Sequence, residues 1–190
     1  MINNDLFNGL FKRYVSFGSL RHQIIKDSSD ILRMSKQSIF ALHRGELDKA
    51  GEMFDTIEKS IADFMKNRKE GVWEGSFRAA LEEYLEAKLF YLYLKKEKLD
   101  FVPEVPAEFY EEYLGGICDF TGELVRRSVL MVSKGKCDEI NDIHDLVENI
   151  IENLAKFDLV GKLRVKYDDV KRNLKRIEEI LYDVKIRGLI

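Results

Sequence analysis

Only two prolines occur in the 190 residues, Pro103 and Pro106, and both fall in one stretch, "LDFVPEVPAEF". Proline lacks the backbone donor a helix needs and clashes with the preceding turn, so the long proline-free segments on either side are open to continuous helix. The apolar spacing agrees. Ile24, Ile31, Ile39 and Leu42 share a helical face from about residue 20 to a glycine stop in "HRGELD". Ala50, Phe54, Ile57, Ile61 and Phe64 mark a second helix, and a third is expected from Trp73 to Leu99, ended by the proline pair. Pro106 suits the first turn of a fourth, which carries Phe109, Tyr113, Ile117, Phe120, Leu124 and Met131 as far as "SKGK". A fifth fits Asp138 to Lys156. The last begins near Gly161, where Val170, Leu174, Ile177, Leu181 and Val184 form a heptad-like seam that requires a partner along its length, inside the chain or across a subunit boundary. No stretch alternates in the manner of a strand. The expectation is an all-α protein, residues 1–190 forming a single-domain helical bundle of about six to seven helices.

Charge narrows the partners. Acids and bases nearly cancel at a formal net charge of −3, so any contact with nucleic acid must come from a local patch. No apolar run has membrane-spanning length, and "MINNDLFNGLFKRYVSFGSL" lacks the layout of a signal peptide, which predicts a soluble, cytoplasmic protein without membrane contact. Cys118 and Cys137 have neither disulfide-like pairing nor metal-type spacing and fit a reducing compartment.

The stretch "LEEYLEAKLFYLYL" raises a chemical question, because it places Glu83 and Glu86 one turn apart in a run otherwise suited to a core. In "GGICDFTGELVRR", Asp119 and Glu123 are spaced by four, again on one face. Ala79, Ala80 and Ala87 lie close to the first pair and Gly116 one turn before the second, small residues that let two helix backbones approach. For either pair alone, a solvated helix face is the simpler reading. Together, four carboxylates at close quarters repel and raise one another's pKa unless a cation neutralises them. Oxygen-only ligation suits Mg²⁺, with Mn²⁺ as the alternative, and such ions support phosphoryl transfer.

Other chemistries lack their residues. Di-iron bundles use Glu-x-x-His, and none of His22, His43 or His144 has a glutamate three residues before it. The cysteines have no recognisable base motif, and there is no glycine-rich phosphate loop. Candidates for phosphate contact are Lys36, His43 and Arg44, then Lys66, Arg68, Lys69 and Arg78 leading into the acidic helix. Trp73 and Phe77 are candidates for stacking on unpaired bases.

Several stretches resemble the translin family and, within it, the branch of translin-associated factor X: "SKQSIFALHR" at 35 to 44, "LEEYLEA" at 81 to 87, "YLGGICDFTGELVRRSV" at 113 to 129 and "YDDVKRNLKRIEEILYDVKIRG" at 167 to 188, in the family's order. The resemblance implies an all-α fold, assembly into a closed barrel-like octamer, here a homo-oligomer, and RNA or single-stranded DNA held inside it. It also implies metal-dependent endoribonuclease activity with Glu83, Glu86, Asp119 and Glu123 as the catalytic metal ligands. Beyond a purely structural helical scaffold, two rivals remain at this point. One is a translin-like shell that binds RNA or single-stranded DNA without cleaving it. The other is an all-α nucleoside triphosphate pyrophosphohydrolase, whose usual second motif resembles Glu-x-x-Asp where this chain has Asp-x-x-x-Glu.

Overall fold

Helices account for most of the described residues, and they begin and end where local chemistry demands. The computed structural model describes residues 3–67 and 74–189, apart from the side chain of residue 19. Among these, α1 spans Asn4–His43, α2 Leu47–Asn67, α3 Gly75–Lys95, α4 Tyr110–Val132, α5 Ile140–Leu154 and α6 Gly161–Ile186, and no strand occurs. No helix among the described residues is long and apolar enough to cross a membrane.

Three boundaries differ from the sequence pattern. α1 begins at Asn4, where the Asn3 side chain accepts from the Asp5 backbone N–H at 2.9 Å, rather than near Leu20. Its first turns leave Leu6, Phe7, Leu10, Phe11, Tyr14 and Phe17 exposed, so core periodicity could not reveal them. α3 stops at Lys95 because Lys96 takes a left-handed conformation at φ 58°, with Glu97 N–H returning to the Leu92 carbonyl at 3.0 Å. The prolines lie downstream, in a connector whose Val102 and Val105 are buried. There the Tyr113 hydroxyl accepts from Val102 N–H at 3.0 Å and donates to the Val105 carbonyl at 2.8 Å. Pro106 precedes a short 3-10 turn, Ala107–Phe109, instead of opening α4 itself. The glycine stop after α1 is as expected: Gly45 sits at φ +80° and donates to Leu42 at 3.0 Å.

The contacts fix helix direction. Arg21 pairs with Glu74, Lys36 with Glu83, and the His43 ring packs on Phe90, so α1 and α3 run the same way. Arg78 meets Glu111 and Glu112, and Phe90 meets Phe120, so α4 runs with α3. Lys166 meets Asp119 and Asn173 meets Thr121 on α4, while Val184 joins a small cluster against Val132, so α6 also runs with α4. α2 runs against them, with Phe54 on Tyr91 and Phe64 stacked on Phe77 at 3.8 Å. The seam of α6 is satisfied within the chain: Val170, Ile177 and Val184 are buried, and α6 packs on α4 and α5.

α3 and α4 approach most closely at Gly116. A Cβ there would lie 2.9 Å from Leu85 Cβ and 3.0 Å from both the Glu82 carbonyl oxygen and the Glu86 amide nitrogen. Two of these three are backbone atoms, so no rotamer change relieves the clash. Gly116→Ala is therefore expected to destabilise the protein by about 1–3 kcal/mol in thermal or urea unfolding. At Gly122 an added Cβ meets only Asn173 Nδ2, at 3.8 Å. Gly122→Ala should leave stability unchanged or raise it by up to about 1 kcal/mol, and equal losses in both variants would contradict the assigned contact.

Candidate functional site

The close approach at Gly116 turns the acidic face of α3 toward that of α4. Glu86 is 9% exposed. Burial, followed by the charges of Glu83, Asp119 and Glu123, pushes its carboxyl up to about 8, with Lys166 pulling the other way. Among the described residues it forms no hydrogen bond or ion pair. Burial also raises Glu83, opposed by Lys36 at 3.7 Å and reinforced by Asp119 and Glu123. Asp119 is raised by burial and opposed by Lys166, whose ammonium donates to its Oδ2. Glu123 Oε2 accepts from His43 Nε2 and lies 3.7 Å from Arg126. The structure thus brings all four acids into mutual electrostatic range.

Glu82 and the lysines of α6, outside the two acidic pairs, complete the surroundings. Glu82, one residue before Glu83, pairs with Lys162 at 2.7 Å and Lys166 at 3.3 Å. Burial works to lower the Lys166 ammonium, but its contacts with Asp119 and Glu82 outweigh that and raise it. Lys162 and Lys166 are spaced by four on one face of α6, a helical pairing visible in "GKLRVK", yet nothing local says which acids it faces.

The expected nucleic-acid contacts divide. Lys36 and Arg44 are exposed, the first beside Glu83 and the second paired with Glu46. Lys66 is exposed near the end of α2. His43 is not a surface phosphate contact: its side chain is 5% exposed, held between Phe90 and Glu123, so it serves the acid cluster instead. Arg78 is not a free cation either, because Glu111 and Glu112 both accept from it. Phe77 is fully buried in the core against Phe64 and unavailable for stacking. Arg68, Lys69 and Trp73 lie outside the described residues.

The donor set fits a hard divalent cation. All four groups offer carboxylate oxygen, and Glu86 is a buried acid among three others with no neutralising contact of its own, which Mg²⁺ or Mn²⁺ would provide. Lys36, His43 and Lys166 each occupy an oxygen of the other three acids. Among the described residues, the one group of three or more candidate ligands already within 4.8 Å of one another is instead His144, Asp145 and Glu148 on α5, a largely exposed cluster.

The translin family model matches residues 19–188. The chain belongs to the translin family. It is similar to mouse translin-associated protein X, 24% identical over 94% of this chain and 78% of that protein. It also resembles human translin, 32% identical over 59% of this chain and 51% of that one. Among solved structures, AfC3PO superposes with a TM-score of 0.84 at 22% identity, covering 97% of this chain and 99% of the other. The complex of AfC3PO with duplex RNA gives 0.80 at 19% identity, covering 96% and 98%. These likenesses establish a translin fold.

The charge arrangement has a measurable cost. A carboxyl whose folded value lies well above its ordinary 4.5 opposes folding once it must ionise. The penalty is absent below the unfolded value, grows as pH rises from there, and levels off above about 8. Glu86→Gln is expected to stabilise the protein in EDTA by up to a few kcal/mol, the gain widening from pH 5 to pH 8. A melting-temperature series showing no pH-dependent gain would contradict the electrostatic description of the cluster.

Proposed function

We propose that this translin-family protein is a Mg²⁺-dependent endoribonuclease that binds RNA within an oligomeric shell and cleaves its phosphodiester bonds. The observation that carries the reading is Glu86, buried among Glu83, Asp119 and Glu123 without a neutralising contact, on two helices that a glycine brings together. Family membership, the likeness to translin-associated protein X and a fold shared with a protein solved on duplex RNA support it.

Glu83, Glu86, Asp119 and Glu123 are the residues that would hold Mg²⁺, or Mn²⁺ in its place. When bound, the ion supplies Lewis-acid polarisation of a phosphate and a water of lowered pKa. The chain's own residues do the rest. Lys166 fixes the Asp119 carboxylate, and His43 fixes that of Glu123, so two acids are oriented from outside the acidic helices. One of these carboxylates would orient an attacking water or take its proton. Lys36, exposed beside Glu83, is positioned to meet the RNA backbone, with Arg44 just past the end of the same helix. Contacts of this kind read charge rather than base identity and extend to single-stranded DNA. The assembly is a homo-oligomer, an octamer on the family pattern, working in the cytoplasm.

The test is cleavage of a labelled single-stranded RNA with Mg²⁺, with EDTA, and by a Glu86→Ala variant of confirmed fold and oligomer size. Cleavage is expected with Mg²⁺ alone and should fall to background in EDTA and in the variant. Undiminished cleavage by the variant would remove the four acids from the mechanism. RNA retained without cleavage would make the protein a binding shell, and pyrophosphate released from nucleotides with RNA left intact would make it a pyrophosphohydrolase.

A further inference from the structure

α1 and α4 run in the same direction and close at the same end of the bundle, each on a left-handed glycine, Gly45 at φ +80° and Gly135 at φ +69°. In both turns the residue after the glycine donates back into the helix, Glu46 N–H to the Ala41 carbonyl and Lys136 N–H to the Met131 carbonyl, each at 3.0 Å. Carbonyls engaged in this way lessen the negative pole that a helix C-terminus turns toward an anion. Between the two turns lies a cavity of about 260 Å³.

Its charge is one-sided. Arg44, Arg127, Lys134 and Lys136 line it against one lining acid among the described residues, Glu139, in a chain whose net charge is −3. Arg127 is held by Glu139 at 2.7 Å, and Arg44 gives Nε and Nη2 to Glu46. Lys134 and Lys136 differ: both are exposed, and among the described residues neither ammonium forms an ion pair or a hydrogen bond. With Glu46 and Glu139 set against the two guanidiniums, the two ammoniums remain as excess positive charge.

Two accessible ammoniums around so small a volume suit a compact dianion. A phosphate monoester carries about 1.5 to 2 negative charges, whereas a phosphate inside a strand carries one. The volume lies below the roughly 300–1,000 Å³ of pockets that enclose whole ligands, so it admits a phosphate rather than a nucleotide. His43 lines it too, and its Nε2 meets Glu123, so one imidazole stands between the cavity and the acid cluster.

We propose that this cavity holds the terminal phosphate monoester of a bound RNA strand, gripped by Lys134 and Lys136, with Arg44 and Arg127 adding to the field. The inference rests on the RNA-binding part of the reading above and extends it: an anchored end sets the strand's register on the acid cluster, and so the distance from that end to the cut.

The experiment measures polarisation of short uridine strands, labelled internally with fluorescein, that end in a 5′-phosphate, a 3′-phosphate or hydroxyls at both ends, in EDTA, with the full chain. One phosphorylated strand is expected to bind about tenfold tighter than the hydroxyl strand. The double variant Lys134→Gln, Lys136→Gln, at exposed turn positions that do not carry the fold, should erase that difference. The double variant Lys26→Gln, Lys175→Gln removes the same charge from exposed positions elsewhere and should keep it. Equal affinity of the wild type for all three strands would overturn the proposal, as would a difference that both double variants erase alike. Inorganic phosphate bound saturably through Lys134 and Lys136, alongside strands bound without regard to their ends, would assign the cavity to a free anion and overturn it too. With Mg²⁺ added, phosphorylated strands of different lengths should be cut at a constant distance from the phosphorylated end. Cleavage indifferent to that end overturns the anchor and leaves the nuclease reading standing. End-dependent binding without cleavage supports the anchor and overturns the nuclease reading.

Discussion

The absence of one side chain, at Gly116, sets the geometry on which everything else in this protein depends. Where α4 crosses Glu82, Leu85 and Glu86, there is no room for a Cβ, and the backbones of α3 and α4 meet in near-direct contact. With larger residues between them, the two acidic faces would stand apart and solvate separately. As it is, Glu86 is enclosed among Glu83, Asp119 and Glu123, and the helices are held by the apolar contacts around them, including Phe90 on Phe120. Packing brings together charges that would otherwise separate.

The surrounding donors compensate unevenly. Lys36 and His43 come from α1 and Lys166 from α6, so each side of the acidic seam is served by a different helix. Glu83, Glu123 and Asp119 gain a partner this way, and Glu86 gains none. A protein under selection for stability alone would not keep such a residue, since glutamine or leucine would fit with less electrostatic cost. Retained buried acids of this kind mark places where function outweighs local consistency.

Much of this could be read in the sequence, and the parts that could not have physical reasons. The six helices follow from apolar spacing and the near absence of proline, and the acidic pairs stand out because carboxylates are costly in a core-directed helix. Gly116 was readable as a close-approach residue for the same reason. Lys166 was not, because its partner Asp119 lies on another helix and only the tertiary fold says that α6 faces it. His43 and Arg78 misled in the same way: as basic residues near acidic motifs they suggest an outward-facing patch, but burial gives one to Glu123 and ion pairing gives the other to Glu111 and Glu112. Phe77 shows the limit of reading an aromatic by proximity, since the fold buries it in the core against Phe64. The early start of α1 left no trace in core periodicity because its apolar residues there face outward.

The shared direction of α1, α3, α4 and α6 also orders events in time. Parallel neighbours cannot be joined by a tight turn, so each pairing waits for the intervening segment to be made and folded back. As the chain leaves the ribosome, α1 emerges first with Lys36 and His43, then the acidic helices, and Lys166 only with the final helix. Until α6 docks, Asp119 and Glu82 face each other without their shared ammonium, and the incipient seam repels itself. A partly synthesised chain therefore lacks the completed acidic centre, which closes only when α6 locks into place.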